Sequence, residues 1–205
     1  MISSAAILIR NALLSGLVLA LGAAPAIAQH AAPSASAPQA SPYDAYASLI
    51  GEWDIGPEGQ PTQMVERFAW AANRSYMTFR AATVANRVET PHFDGVLMWD
   101  GVEHRLNMLV MLDLSPSAQV TEKGYLYRDE NGVFVREITA SYSEGTPTAS
   151  GSPVGWAGST GHFRQTFTVL GPDRMRTRVM HQTAGGWVPT FPGSDNLIMT
   201  RRRAR

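Results

Sequence analysis

From residue 51 onward the chain alternates apolar and polar side chains with a period of two, and Gly, Asn, Asp and Pro clusters interrupt it at short intervals. This pattern predicts strands near 51–55, 63–70, 75–83, 94–99, 104–112, 120–128, 133–141, 162–170, 174–182 and 196–202. No sustained helical period falls between them. Ahead of the strands, Tyr43, Tyr46, Leu49 and Ile50 are spaced to cover one face of a single short helix over 42–50. Short strands in succession predict an all-β chain. We expect a single antiparallel up-and-down β-barrel of about 8–10 strands with a short N-terminal helix, occupying 43–205.

Turn chemistry assigns faces. A turn at Ala71-Ala72-Asn73-Arg74 sets Trp70 opposite Ser75 and puts Met64, Glu66, Phe68 and Trp70 on one face with Met77, Phe79 and Ala81. A loop over 100–103, with Trp99 opposite His104, groups Leu97, Trp99, His104, Leu106, Met108 and Val110. Around Asn131-Gly132, a hairpin signal, Tyr125 and Tyr127 are expected on the face of Phe134, Arg136 and Ile138. Around Gly171-Pro172-Asp173, Phe163, Gln165, Phe167 and Val169 align with Met175, Thr177, Val179 and His181. A slip of one residue inverts any of these assignments.

With the apolar faces inward, the expected interior is rich in methionine and aromatic residues and holds a few polar groups. The candidate ligand-binding residues are Glu66, Phe79, Trp99, His104, Met108, Arg136, Gln165, Phe167 and His181. A closed barrel of this size either fills with side chains or holds one small ligand, and a greasy cavity with a few convergent polar groups is pocket chemistry. A filled core is the alternative, because Met and aromatic residues at strand spacing are ordinarily just packing. Glu66 needs a partner or an ionisation shift in either case.

The first 28 residues read differently. Arg10 is the lone charge of a short n-region, residues 12–24 are apolar, Pro25 breaks the run, and Ala26-Ile27-Ala28 is a small-x-small cleavage pattern. We expect a cleaved signal peptide over 1–28 and a periplasmic or secreted product beginning at Gln29. The apolar run is short for crossing about 30 Å of hydrocarbon, so no transmembrane span is expected after cleavage. Residues 29–42 are an Ala/Pro/Ser tether that buries too little to offset chain entropy. With no cysteine, the exported domain has no disulfide, no thiolate metal site and no lipid attachment point. Seventeen basic residues balance seventeen acidic ones, so nothing attracts nucleic acid.

Three segments resemble a known group. Leu49-Ile50-Gly51-Glu52-Trp53 resembles the G-x-W opening of lipocalin-like barrels. The run from Gly95 to Trp99-Asp100, followed by His104-Arg105-Leu106, resembles the lipocalin-like family DUF1579, and Leu197-Ile198-Met199-Thr200-Arg201 is similar to its closing strand. The resemblance implies a calycin-type barrel in which Trp53 closes the floor and Arg201, or a neighbouring arginine, stacks over it. That pair has an architectural role. The chain departs from typical lipocalins in lacking disulfides and in carrying the Gly/Ser/Thr/Pro-rich insertion 144–161, where Trp156 is expected either to dock on a barrel mouth or to anchor the loop.

Signatures of catalysis are missing. Gly151-Ser152-Pro153-Val154-Gly155 lacks the central serine of a nucleophile elbow, the 155–161 run lacks a P-loop ending, and no H-E-x-x-H occurs. A barrel enzyme requires Glu66 and His181 within hydrogen-bond reach. A metal held by His104, His181 and Glu66, or a heme on His181, is a subordinate reading, and no cofactor or metal is expected. The arginines of 201–205 form either a contact for anionic lipid or a solvated end. The expected partner is a small apolar molecule, with a structural or protein-interaction domain as the alternative; nothing in the pattern speaks to oligomeric state.

Overall fold

The computed structural model describes residues 41–115, 118–143 and 158–203, with side chains left out of the description over 113–118. The expected leader, nearly all of the tether, and most of the 144–161 insertion with Trp156 lie outside the described residues.

A 3₁₀ helix, Pro42–Leu49, opens the fold. Ser41 caps it by accepting from the Tyr43 amide at 3.3 Å, and Asp44 accepts from the Ser41 amide at 3.0 Å. Eleven strands follow: β1 (Gly51–Pro57), β2 (Met64–Trp70), β3 (Met77–Ala85), β4 (Val88–Asp100), β5 (Arg105–Ser115), β6 (Ala118–Arg128), β7 (Phe134–Tyr142), β8 (Thr160–Gly171), β9 (Arg174–Thr183), β10 (Gly186–Pro189) and β11 (Leu197–Arg201). Strands β1 to β9 pair in sequence order, except that β1 and β9 are bridged by β11, and every pairing is antiparallel. The result is a closed barrel of ten strands. The short β10 sits outside the ring, on the flank of β9 beyond β11.

Four of the hairpin turns lie at the end of the barrel that the helix covers; β1, β3, β5 and β7 run to the opposite end, which carries the 57–64 and 85–88 connections. The lower, helix-covered end is closely packed. Leu49, Trp53, Phe68, Met77, Leu97, Leu106, Leu126, Phe134, Phe167 and Met175 are all fully buried there. Each such side chain contributes about 1.5–3 kcal/mol by leaving water. Tyr46 ties the helix to β6 through a hydrogen bond from its hydroxyl to the Leu126 carbonyl at 3.3 Å. Tyr43 donates to the Ser75 carbonyl at 2.7 Å and accepts from the Trp99 amide at 3.0 Å.

Trp53 and Arg201 close the floor. The Trp53 indole donates to the Leu49 carbonyl at 2.7 Å, and the Arg201 guanidinium lies 4.2 Å from the Trp53 ring centre. Arg201 also donates to the carbonyls of Ile50 and Ser48, which the helix end leaves unpaired, and pairs with Asp173 at 3.2 Å. Gly51 is needed beneath it: its φ is +135°, and a Cβ at this position would run into the guanidinium. Gly124, inward on β6, is a second close approach, since a Cβ there would strike the Glu137 carbonyl. Arg202, from the basic tail, is held on the outer wall by Asp54 at 2.5 Å and Glu89 at 2.6 Å.

Two face assignments need correction. Tyr125 and Tyr127 pair with Glu137 and Val135 and face outward, while Leu126 and Gly124 lie opposite Arg136 and Ile138. The loop after β6 is longer than a two-residue turn. Asp129 accepts from the amides of Asn131 (2.9 Å) and Val133 (2.8 Å), and its own amide donates to the Val133 carbonyl. The extra loop residue moves the pairing by one and inverts β6. His104 is not a strand residue either. It occupies the exposed 101–104 turn with a φ of 52°, and Trp99 pairs with Leu106 instead.

Candidate functional site

The polar side chains of the interior meet at mid-depth. Glu66 enters from β2, Glu122 from β6, Arg136 from β7, Gln165 from β8 and Thr177 from β9, and all are buried. The Gln165 amide is the hub. Its nitrogen donates to Glu66 Oε1 at 2.9 Å and to Thr177 Oγ1 at 3.3 Å, while its oxygen accepts from Arg136 at 3.0 Å. Arg136 uses a second nitrogen to pair with Glu122 at 2.8 Å, and its guanidinium rests 4.4 Å from the Phe79 ring centre. Strands β2 and β8 are not neighbours in the ring, so the Glu66–Gln165 bond crosses the lumen. A polar bridge therefore spans the barrel, with the aromatic floor below it and the end opposite the helix above.

Above the bridge the wall is apolar but less tightly closed. Met64, Phe93, Leu112 and Phe163 face inward and are only half-buried, as is Val179 level with Gln165, while Val120 and Ala140 are buried. Tyr142 joins them toward the end opposite the helix, where burial, and secondarily the charge of Glu122, pushes its phenol up to about 12. His181 is buried at the same end, paired across the ladder with Phe163, one rung above Gln165.

The electrostatics are uneven. Burial is the main force on Glu66 and pushes its carboxyl above the ordinary range; Arg136 and the Gln165 bond oppose this, and Glu122 adds to it. The bridge has two carboxyls and one guanidinium, so a protonated Glu66 leaves it neutral. Glu66 Oε2, Arg136 Nε and His181 Nδ1 are buried with no hydrogen-bond partner among the described residues.

The nine sequence candidates separate into three groups. Glu66, Arg136 and Gln165 form the bridge, and His181 and Met108 line the interior near it. Phe79 and Phe167 belong to the packed floor, each in ring contact with Phe68 at 5.1 and 6.0 Å between centroids. Trp99 and His104 sit together at the outer rim of the closed end, edge to face at 6.0 Å. His104 is therefore at the opposite end from His181, and the His104–His181–Glu66 metal triad is not assembled. Among the described residues no group of three His, Cys, Asp or Glu side chains is placed to hold a metal ion. No hydrogen bond joins Glu66 to His181 either, because the Glu66 carboxyl meets only Gln165. Glu122, Thr177 and Tyr142 complete the site and were not among the nine.

A groove of about 1200 Å³ runs outside the barrel, lined in part by Glu52, Asp54, Arg87, Glu89, Arg202 and Arg203. Much of its charge is satisfied internally, since Arg202 pairs with both Asp54 and Glu89. Charges in this arrangement hold the wall together; of the buried polar atoms without a hydrogen-bond partner among the described residues, those of Glu66, Arg136 and His181 face the lumen, while Arg105 Nε and Thr190 Oγ1 lie outside it. Among the described residues no helix is long and apolar enough to cross a membrane. No protein-family model matches the chain, and no curated protein matches it.

Proposed function

We propose that the chain is an exported, lipocalin-like barrel of the DUF1579 kind that holds a small, largely apolar molecule in the half of its lumen above the polar bridge. The observation that carries this reading is the pairing of half-buried apolar walls (Met64, Phe93, Leu112, Phe163) with buried polar atoms of Glu66, Arg136 and His181 that lack partners among the described residues. A site of that composition gains by covering the first and hydrogen-bonding the second. Export rests on the leader pattern of residues 1–28, and family membership on the G-x-W motif with Arg201 stacked over Trp53.

The test is native mass spectrometry on protein recovered from the compartment it is sent to. A mass above that of the polypeptide, lost on denaturation, is the expected result. A bare polypeptide, together with no uptake of aliphatic probes, overturns the carrier reading.

One observation favours a second reading, a protein-interaction domain. Met98, Leu109 and Met111 stand exposed on the outer face of β4 and β5, the neighbouring strands of one hairpin.

A further inference from the structure

We infer that the molecule held above the bridge has an uncharged polar end, a hydroxyl or carbonyl oxygen, and not a carboxylate or an amine. This rests on the carrier reading just proposed and narrows its ligand class. The inference comes from how the interior charges are already committed. Arg136 is the one Lys or Arg side chain among the buried polar residues described, and two of its nitrogens are taken by Glu122 and by Gln165. A carboxylate entering from above would be a third acidic group facing a single guanidinium. Its desolvation would go largely uncompensated, which is costly for a buried charge.

An amine meets the opposite difficulty. It requires Glu66 to be ionised at 2 % exposure, and the nearest cation, Arg136, sits on the far side of the same Gln165 amide. Two carboxylates and two cations would then share an apolar lumen. A neutral oxygen needs none of this. Arg136 Nε is a donor without a partner, and Glu66 Oε2 becomes a donor when it carries the proton that burial favours. His181 Nδ1, one rung higher and 4 % exposed, supplies either a donor or an acceptor according to its tautomer. The groups bracketing the Gln165 amide thus suit an oxygen acceptor, with apolar wall above for the chain behind it.

The experiment compares three probes of equal length, octan-1-ol, octanoate and octylamine, by calorimetric titration into the mature chain. Octan-1-ol is expected to bind at least about tenfold more tightly than either charged probe, the difference an uncompensated buried charge produces. In Glu66→Gln, which keeps a hydrogen-bonding amide in place of the acid, the alcohol is expected to bind within about threefold of the parent. In Glu66→Leu it is expected to lose about tenfold, with Phe93→Ala as a comparison that weakens all three probes alike. Octanoate or octylamine binding as well as the alcohol overturns the uncharged-end inference and leaves the carrier reading standing. Failure of all three to bind overturns the carrier reading itself. Equal alcohol affinity in the parent and in Glu66→Leu, with both folded by circular dichroism, removes Glu66 from the site and overturns the assignment of its donor.

Discussion

The two ends of this barrel are built from the same alternating strands and solve opposite problems. At the helix-covered end, Leu49, Trp53, Phe68, Phe134, Phe167 and Met175 fill the lumen completely, and the few polar atoms there, such as the Trp53 indole and the Arg201 guanidinium, have partners on helix carbonyls. Toward the opposite end several inward apolar residues (Met64, Phe93, Leu112, Phe163) are half-buried while Val120 and Ala140 are buried, and the partnerless atoms are Glu66 Oε2 and Arg136 Nε in the bridge with His181 Nδ1 one rung above it. The bridge from Glu66 through Gln165 to Arg136 and Glu122 is the boundary. Close packing secures stability below it; above it, half-buried side chains gain less from leaving water.

That contrast can be broken most directly at the floor. Trp53→Ala removes the side chain under Arg201 and leaves a cavity at the helix contact, with an expected loss of about 3–5 kcal/mol in denaturant unfolding. Next is the bridge. Arg136→Leu strands Glu122 without its cation and is expected to cost about 3 kcal/mol, while the double change Arg136→Leu with Glu122→Leu recovers much of the loss in a double-mutant cycle.

A smaller effect sharpens the comparison through pH. The Glu66 carboxyl is raised above its ordinary value of 4.5, chiefly by burial, so the folded state favours its protonated form. Its favourable contribution is complete below the unfolded value and is lost as pH rises through the folded value. Glu66→Gln, which never ionises, should match the parent in acid and exceed it by about 1–2 kcal/mol once the parent's carboxyl is forced to ionise, as followed by thermal unfolding across pH. The smallest change is expected at the closed end's outer rim: His104→Ala, in an exposed turn, should shift unfolding by under about 0.5 kcal/mol and leave probe binding untouched.

Local pattern was enough to read much of the wall. Met64, Glu66, Phe68 and Trp70 do face the lumen with Met77, Phe79 and Ala81, and Phe163 to Val169 do pair with Met175 to His181, because a parity error there would expose the whole apolar set. Where one loop residue decides parity, composition offered no guide. The Asp129 turn reversed Tyr125 and Tyr127, and the same slip hid Glu122 on the supposed outer face. Strand β4 begins earlier than the alternation indicates, since Pro91 and the polar residues beside it mask a hairpin whose turn is Asn86-Arg87, both at positive φ. Strand β10 is four residues long and exists through its pairing with β9. The bridge itself was out of reach: Glu66 and Gln165 are separated by 99 positions, and a bond across a lumen has no period.

Ring closure also sets a schedule. The strand that seals β1 to β9 is the last one made, and its Arg201 locks onto Trp53 near the start of the domain. Until residues 197–201 arrive, β1 and half of β9 have bare edges, and the sheet can neither curl shut nor shield them from another chain. Pairing strands this distant in sequence is the slow, entropically demanding kind of contact. A chain shortened by its final nine residues should therefore accumulate as self-associating open sheets, even though nearly every residue of the lumen would still be present.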